Sequence, residues 1–119
     1  MKTLVLGASP KPERYSNRAM RMLKEHGYEV EGLGLREATF GDFSILAGKP
    51  KLEKIHTISL YIGPKNQPEW YNYIVDTKPE RVIFNPGTEN PELYQILEEA
   101  GIDYEVACTL VLLSTNQYN

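Results

Sequence analysis

The chain has 119 residues, 41 % of them hydrophobic and 24 % charged. This is the make-up of one globular domain over residues 1–119, able to bury a core without disulfides or metal. Thirteen Lys and Arg against sixteen Asp and Glu leave a net charge of −3, which speaks against nucleic-acid or membrane-surface partners, since both require a basic field. One cysteine, Cys108, and two histidines, His26 and His56, are too few for a disulfide framework or a metal cluster.

Read in chain order, Thr3–Leu6 is a short apolar run closed by Gly7, the pattern of a buried parallel strand. Ser16–His26 follows as a helix. Ala19, Met22 and Leu23 share a face, Ser16 is placed to cap its start, and Gly27 suits a left-handed end. Tyr28–Gly32 alternates polar and apolar residues and reads as a strand. Leu33–Lys54 is rich in glycine and charge, with one short edge strand expected in "FSILAG". Thr57–Ile62 is a strong strand, and "GPKNQPEW" turns into a helix with Pro68 at its first position and an apolar face of Trp70, Tyr71, Ile74 and Val75, ended by Pro79. Arg81–Phe84 is a further buried strand. After it, Asn90 caps a helix that Pro91 begins, Leu93, Ile96, Leu97 and Ala100 form its core face, and Gly101 closes it. Tyr104–Ala107 is the last strand and Cys108–Ser114 the last helix, and the polar tail "TNQYN" either frays or folds back.

Strands alternating with single helices imply a three-layer, Rossmann-like α/β domain. Its sheet is mainly parallel and about five-stranded, with strand 1 near the centre and helices on both faces. No apolar run reaches membrane-spanning length, and "MKTLVLG" is too short for a signal-peptide core, so a cytoplasmic protein is expected.

In such sheets ligands lie beyond the carboxyl ends of the strands, where the winding reverses. Three loops converge there: "GASPKPERYSN", "YIGPKNQPEW" and "NPGTENPE". In the first, Gly7 lets backbone approach a phosphate, the helix start offers free N–H groups, and Lys11, Arg14 and Arg18 add charge. The loop is neither a GxGxxG nor a P-loop, and alone it fits an ordinary strand-to-helix turn equally well. An NAD site wants an acid at the tip of strand 2. Glu31 falls before that tip and Arg36 just past it, which favours a phosphorylated ribose, as in NADP or coenzyme A. A hydride-transfer enzyme also needs a substrate domain, for which no residues are left over.

The blocks "LVLGASPKPERYSNRAMRMLKEHGYEV", "LYIGPKNQPEW" and "VIFNPGTENPEL" with "EVACTLVLLST" resemble the small stand-alone CoA-binding proteins, whose Rossmann-like fold is similar to the amino-terminal domain of the succinyl-CoA synthetase α subunit. The resemblance covers nearly the whole chain and is weakest over Thr39–Lys54. It implies coenzyme A or an acyl-CoA as ligand, with the phosphates at Gly7, Ala8, Ser9, Arg14, Ser16 and Asn17 and the ribose 3′-phosphate at Arg36. It places adenine and pantetheine along Tyr61, Ile62, Gly63 and Pro64, and the pantetheine arm near Asn85, Pro86, Gly87 and Asn90. The family often carries Asn-Pro after strand 2, where this chain has Gly34–Leu35–Arg36. The synthetase's phosphorylated histidine belongs to a separate domain, and neither His26 nor His56 lies in its context, so the resemblance implies binding rather than ligase activity.

Other residues have plainer readings. Cys108 reads as a small core residue, His26 as a helix-end cation, and Glu29/Glu31 and Glu98/Glu99 as solvated faces. No nucleophile–base arrangement follows from spacing. A nucleotide ligand without catalytic machinery indicates a carrier or regulatory protein. The alternatives left open are an NADP- or nucleotide-dependent enzyme subunit completed by a partner chain, and an interaction module with a vestigial site. The aromatic faces leave room for a homodimer or another protein partner.

Overall fold

The computed structural model describes residues 1–119. The elements run β1 (Lys2–Leu6), α1 (Tyr15–Glu25), β2 (Glu29–Leu33), β3 (Ala38–Phe40), β4 (Phe43–Leu46), β5 (Ile55–Leu60), α2 (Tyr71–Thr77), β6 (Arg81–Phe84), α3 (Pro91–Ala100), β7 (Asp103–Val106) and α4 (Thr109–Ser114). Two 3-10 turns, Pro64–Asn66 and Pro68–Trp70, lead into α2. Pro68 therefore opens a 3-10 turn rather than the α-helix.

All seven strands form one sheet in the order β3-β4-β2-β1-β5-β6-β7, with β1 in the middle. Every neighbouring pair is parallel except β3–β4. The expected Rossmann-like architecture is present, with seven strands instead of about five. The difference is the β3–β4 hairpin, where a single edge strand was expected. Phe40 pairs with Phe43 across the Gly41–Asp42 turn, their rings stack at 4.8 Å, and Gly41 takes a positive φ of 53°. A two-residue turn beginning with glycine is a hairpin signal, but three-residue strands are too short to show alternation clearly.

Strand alternation sorts the core into two layers. Leu4 and Leu6, Ile58 and Leu60, and Val82 and Phe84 pack with Ile74 of α2 and Leu93 and Leu97 of α3. Val5 and Ile83 point the other way and meet Met20 and Leu23 of α1 and Leu113 of α4. A period of two along each strand makes this division automatic once the strands are parallel neighbours.

The start of α1 differs from expectation, whereas α2 stops ahead of Pro79 as expected. Helix α1 begins at Tyr15, with Arg14 as its uncapped N-cap residue, and Ser16 lies inside the first turn on the buried face. Ser16 is thus no cap. Helix α2 ends at Lys78 in the left-handed conformation, φ 53°, one residue ahead of Pro79. Helix α3 starts as expected: Pro91 is its first residue, and the Asn90 side chain accepts from the Glu92 N–H at 3.1 Å. The tail folds back. Tyr118 is buried, its hydroxyl bonds that of Thr3, and its ring lies 4.6 Å from the Arg81 guanidinium.

Candidate functional site

The winding reverses beside β1, which sends its chain to β2 on one side while β5 lies on the other. Beyond the carboxyl ends of these strands lie the loops after β1, β2, β5 and β6, and they are locked to one another. Gly7 holds φ at 99°, and its N–H donates to the Leu33 carbonyl at 2.8 Å, as does that of Ala8 at 3.0 Å. A Cβ on Gly7 would stand 3.0 Å from the Tyr61 carbonyl carbon and 3.1 Å from Ile62 Cγ1. The glycine is therefore required by contact with the β5 loop, and its amide is committed to β2.

Further along the same loop, Asn17 is buried and its Nδ2 donates to the Ser9 carbonyl at 2.9 Å. Its Oδ1 accepts from Arg21 Nε at 2.9 Å, and Arg21 also donates to the Pro12 carbonyl at 2.8 Å. The Ser9 hydroxyl accepts from the Lys11 N–H at 3.2 Å. Asn17 and Arg21 thus strap the loop to α1. No side chain caps α1, so the first-turn N–H groups that an α-helix leaves without partners remain available. Lys11, Arg14 and Arg18 are all exposed around them, with the Arg18 guanidinium 5.7 Å from the ring centre of the exposed Tyr15.

The loop after β2 meets the same corner. A Cβ on Gly34 would lie 2.4 Å from the Ala8 carbonyl oxygen, so only glycine lets the two loops touch. Leu35, 98 % exposed, and the exposed Arg36 follow at once. Arg36 stands at this end of the sheet without a side-chain bond to the other loops.

On the β5 and β6 side, Gly63 and Pro64 are exposed at the head of the first 3-10 turn, and Pro86 and Gly87 are exposed beyond β6. Asn85 is different. It is buried, its Nδ2 donates to Ser59 Oγ at 2.9 Å and to the Leu60 carbonyl at 3.0 Å, and its Oδ1 accepts the Thr109 N–H at 2.8 Å. With both donors used and its acceptor engaged, Asn85 joins β5, β6 and α4 and has no free donor for a ligand. Asn90 is likewise committed: besides capping α3, its Nδ2 donates to Gln67 Oε1 at 2.8 Å and to the Tyr71 hydroxyl at 2.9 Å. Gln67, not singled out in the sequence, is fully buried and donates to both the Ile62 and Thr88 carbonyls at 2.8 Å. Its signal was weak, since a glutamine between two prolines reads as solvent-facing turn.

The Tyr61 backbone N–H donates to the Leu6 carbonyl at 2.8 Å, and its side chain runs into the α1–α4 layer. Its hydroxyl is buried and has no hydrogen-bond partner. Burial pushes the phenol up to about 12, against the opposing influence of the Ser59 and Thr109 hydroxyls, which are committed to each other at 2.8 Å. Cys108 is half-buried ahead of α4, rather than a core residue. His26 bonds the Met22 carbonyl at 2.8 Å at the far end of α1, and His56 faces Thr57 and Glu80 near the amino end of β5. Both histidines stand away from the four loops.

A concavity of about 740 Å³ lies elsewhere, beside β7 and α3, lined by Arg81, Glu98, Asp103, Tyr104 and Glu105 among others. Three carboxylates against one arginine make it a poor place for phosphates. The loop end is an open surface bearing unpaired cations, which is where an anionic ligand gains most.

An open parallel sheet with helices on both faces, and a glycine-bearing, cationic loop cluster at its winding reversal, defines a Rossmann-like domain with its binding end at the strand tips. The chain belongs to the CoA binding domain family, whose model matches residues 1–114. It is 47 % identical to a crystal structure of an uncharacterized protein, covering 98 % of this chain and 96 % of the other, with a TM-score of 0.94. A hypothetical protein from Pyrococcus horikoshii is similar at 25 % identity, 98 % and 83 % coverage and TM-score 0.85. A cell-free-produced protein from Thermus thermophilus shares the fold at 24 % identity, 98 % and 89 % coverage and TM-score 0.84. No curated protein matches the sequence.

Proposed function

We propose that this protein binds coenzyme A or an acyl-CoA across the carboxyl ends of β2, β1, β5 and β6, and serves as a carrier or regulatory protein without chemistry of its own. The observation that carries the reading is the juxtaposition of exposed Lys11, Arg14, Arg18 and Arg36 with the uncapped start of α1. In this reading the pyrophosphate lies on the first-turn amides of α1 near Ser9, Ser16 and Asn17, with Arg14 beside it, rather than on the committed amides of Gly7 and Ala8. Arg36 takes the ribose 3′-phosphate. The exposed Gly63, Pro64, Pro86 and Gly87, with the half-buried Ile62, flank the pantetheine arm, while Asn85 and Asn90 support those loops from beneath. Membership of the CoA binding domain family supports the choice of ligand.

Isothermal calorimetry with CoA and dephospho-CoA tests it. CoA should bind about tenfold tighter, the worth of one charge-assisted phosphate contact of about 1.4 kcal/mol. Equal affinities would remove Arg36 and the 3′-phosphate from the account, and absence of heat with either ligand would overturn the reading. NADPH binding tighter than CoA would favour an enzyme subunit instead.

A further inference from the structure

We propose that Gln67 is a positioning residue that clamps the β5 and β6 loops at a set separation, and thereby makes this end of the sheet selective for ligands that carry an extended arm beyond their nucleotide. The second half of the statement rests on the CoA reading above. The first half stands on geometry alone.

Gln67 lies between the two 3-10 turns, its N–H bonded to the Pro64 carbonyl at 3.2 Å and its carbonyl accepting from the Trp70 N–H at 2.8 Å. These turns direct the side chain inward, where it is fully buried. A single nitrogen, Nε2, then reaches the Ile62 carbonyl of one loop and the Thr88 carbonyl of the other, both at 2.8 Å. Two carbonyl oxygens with no donor between them would repel, and that of the buried Thr88 could not turn to water without moving its loop. The opposite end of the amide is fixed as well, because Oε1 accepts from Asn90, which is held by capping α3 and by Tyr71. Tyr71 in turn donates to Glu92 at 2.8 Å. The orientation of the amide is thereby determined at three points, and Gln67 is the side chain that donates to a backbone carbonyl of each loop. By contrast, the phosphate loop is strapped by Asn17 and Arg21 and has no contact with Gln67. The clamp's direct bonds are thus to the β5 and β6 loops, and it reaches the β1 loop only through the packing of Gly7 against Tyr61 and Ile62.

This division makes the proposal testable with two variants and two ligands. Gln67→Leu removes the donors, and Gln67→Glu keeps shape and length while setting a carboxylate against the two carbonyls. Calorimetry with CoA and with adenosine 3′,5′-bisphosphate, which has no arm, should show CoA weakened by about tenfold or more and the bisphosphate changed by less than about twofold. Equal losses for both ligands, or no loss for either, would overturn the assigned selectivity. Hydrogen exchange on the ligand-free protein reads the clamp directly: the amides of Asn66 and Thr88 should lose protection in both variants, while that of Arg18 in α1 keeps it. Unchanged exchange at Asn66 and Thr88 would overturn the clamp whatever binds. Loosened loops in a protein whose wild type binds neither ligand would instead sustain the clamp and bring down the CoA reading.

Discussion

Gly32 and Gly34 lie two residues apart near the tip of β2, and the physics of adding one methyl group to each is opposite. A Cβ at Gly34 would meet the Ala8 carbonyl oxygen at 2.4 Å, whereas one at Gly32 would meet the Met20 Cε at 2.7 Å. The first obstacle is backbone in a loop pinned by the paired Gly7 and Ala8 amides. The second is the end of a flexible side chain that can change rotamer. Gly34→Ala should therefore destabilise by about 1–3 kcal/mol, the usual range for forced overpacking, and Gly32→Ala by clearly less. Urea unfolding of the two variants measures the difference, and a larger loss for Gly32→Ala would contradict it. Gly7 is constrained in the same way by Tyr61 and Ile62, so a bulky residue there perturbs the fold itself, besides whatever it does to a ligand.

At the scale of elements, helix α1 supplies the polar strap as well as an apolar face. The resemblance sets Asn17 at the phosphates, and its amide faces inward to hold Ser9 and Arg21. Asn17→Ala leaves the Ser9 carbonyl without its donor and Arg21 without its acceptor. The expected result is a loss of about 1–3 kcal/mol in stability, accompanied by weaker CoA binding. Arg21→Ala, whose side chain is exposed, should weaken both by less. Thermal unfolding and calorimetry on the pair test this order, and a larger effect from Arg21→Ala would show that Asn17 is not the central tie. The β3–β4 hairpin is the other element whose form depends on its surroundings. Its strands are short, and β4 gains its place by pairing in parallel with β2 through Gly32–Ile45 and Leu33–Leu46.

Across the whole molecule the two ends of the sheet are finished by different means. The carboxyl ends carry the loop cluster, and the amino ends are closed by the C-terminal tail. Tyr118 bonds Thr3 of β1, lies under Arg81 of β6 and touches the Tyr28 ring edge-on at 5.1 Å. Arg81 completes the closure through Thr57 at 2.9 Å and Glu105 at 3.1 Å. Tyr118→Ala would open a cavity under the strands and remove the ring from beneath the Arg81 guanidinium, with an expected loss of about 3–5 kcal/mol. Since the tail is remote from the loop cluster, CoA affinity of the folded variant should stay near wild type. Chemical unfolding together with calorimetry checks both halves, and a small stability change would show that the tail merely lies on the surface.

The order of strands and helices, the parallel winding with β1 at its centre, the capped start of α3 and the cationic loop after β1 all followed from local patterns: apolar periodicity, Gly and Pro punctuation, and charge. Such features depend on neighbours within one turn or one strand, so the sequence by itself determined them. Only the tertiary structure decided which polar side chains turn inward to hold the loops together. Asn85 and Asn90, which the resemblance sets near the pantetheine arm, have side chains that tie β5, β6 and the neighbouring helices together; Ser16 looked like a cap and lies buried; and Gln67, not singled out in the sequence, is a buried tie between two loops. The reason is physical: an amide side chain can satisfy a solvent-side ligand or a buried carbonyl with equal chemistry. Which partner it meets depends on residues brought near from twenty or more positions away, a distance over which local pattern carries no information.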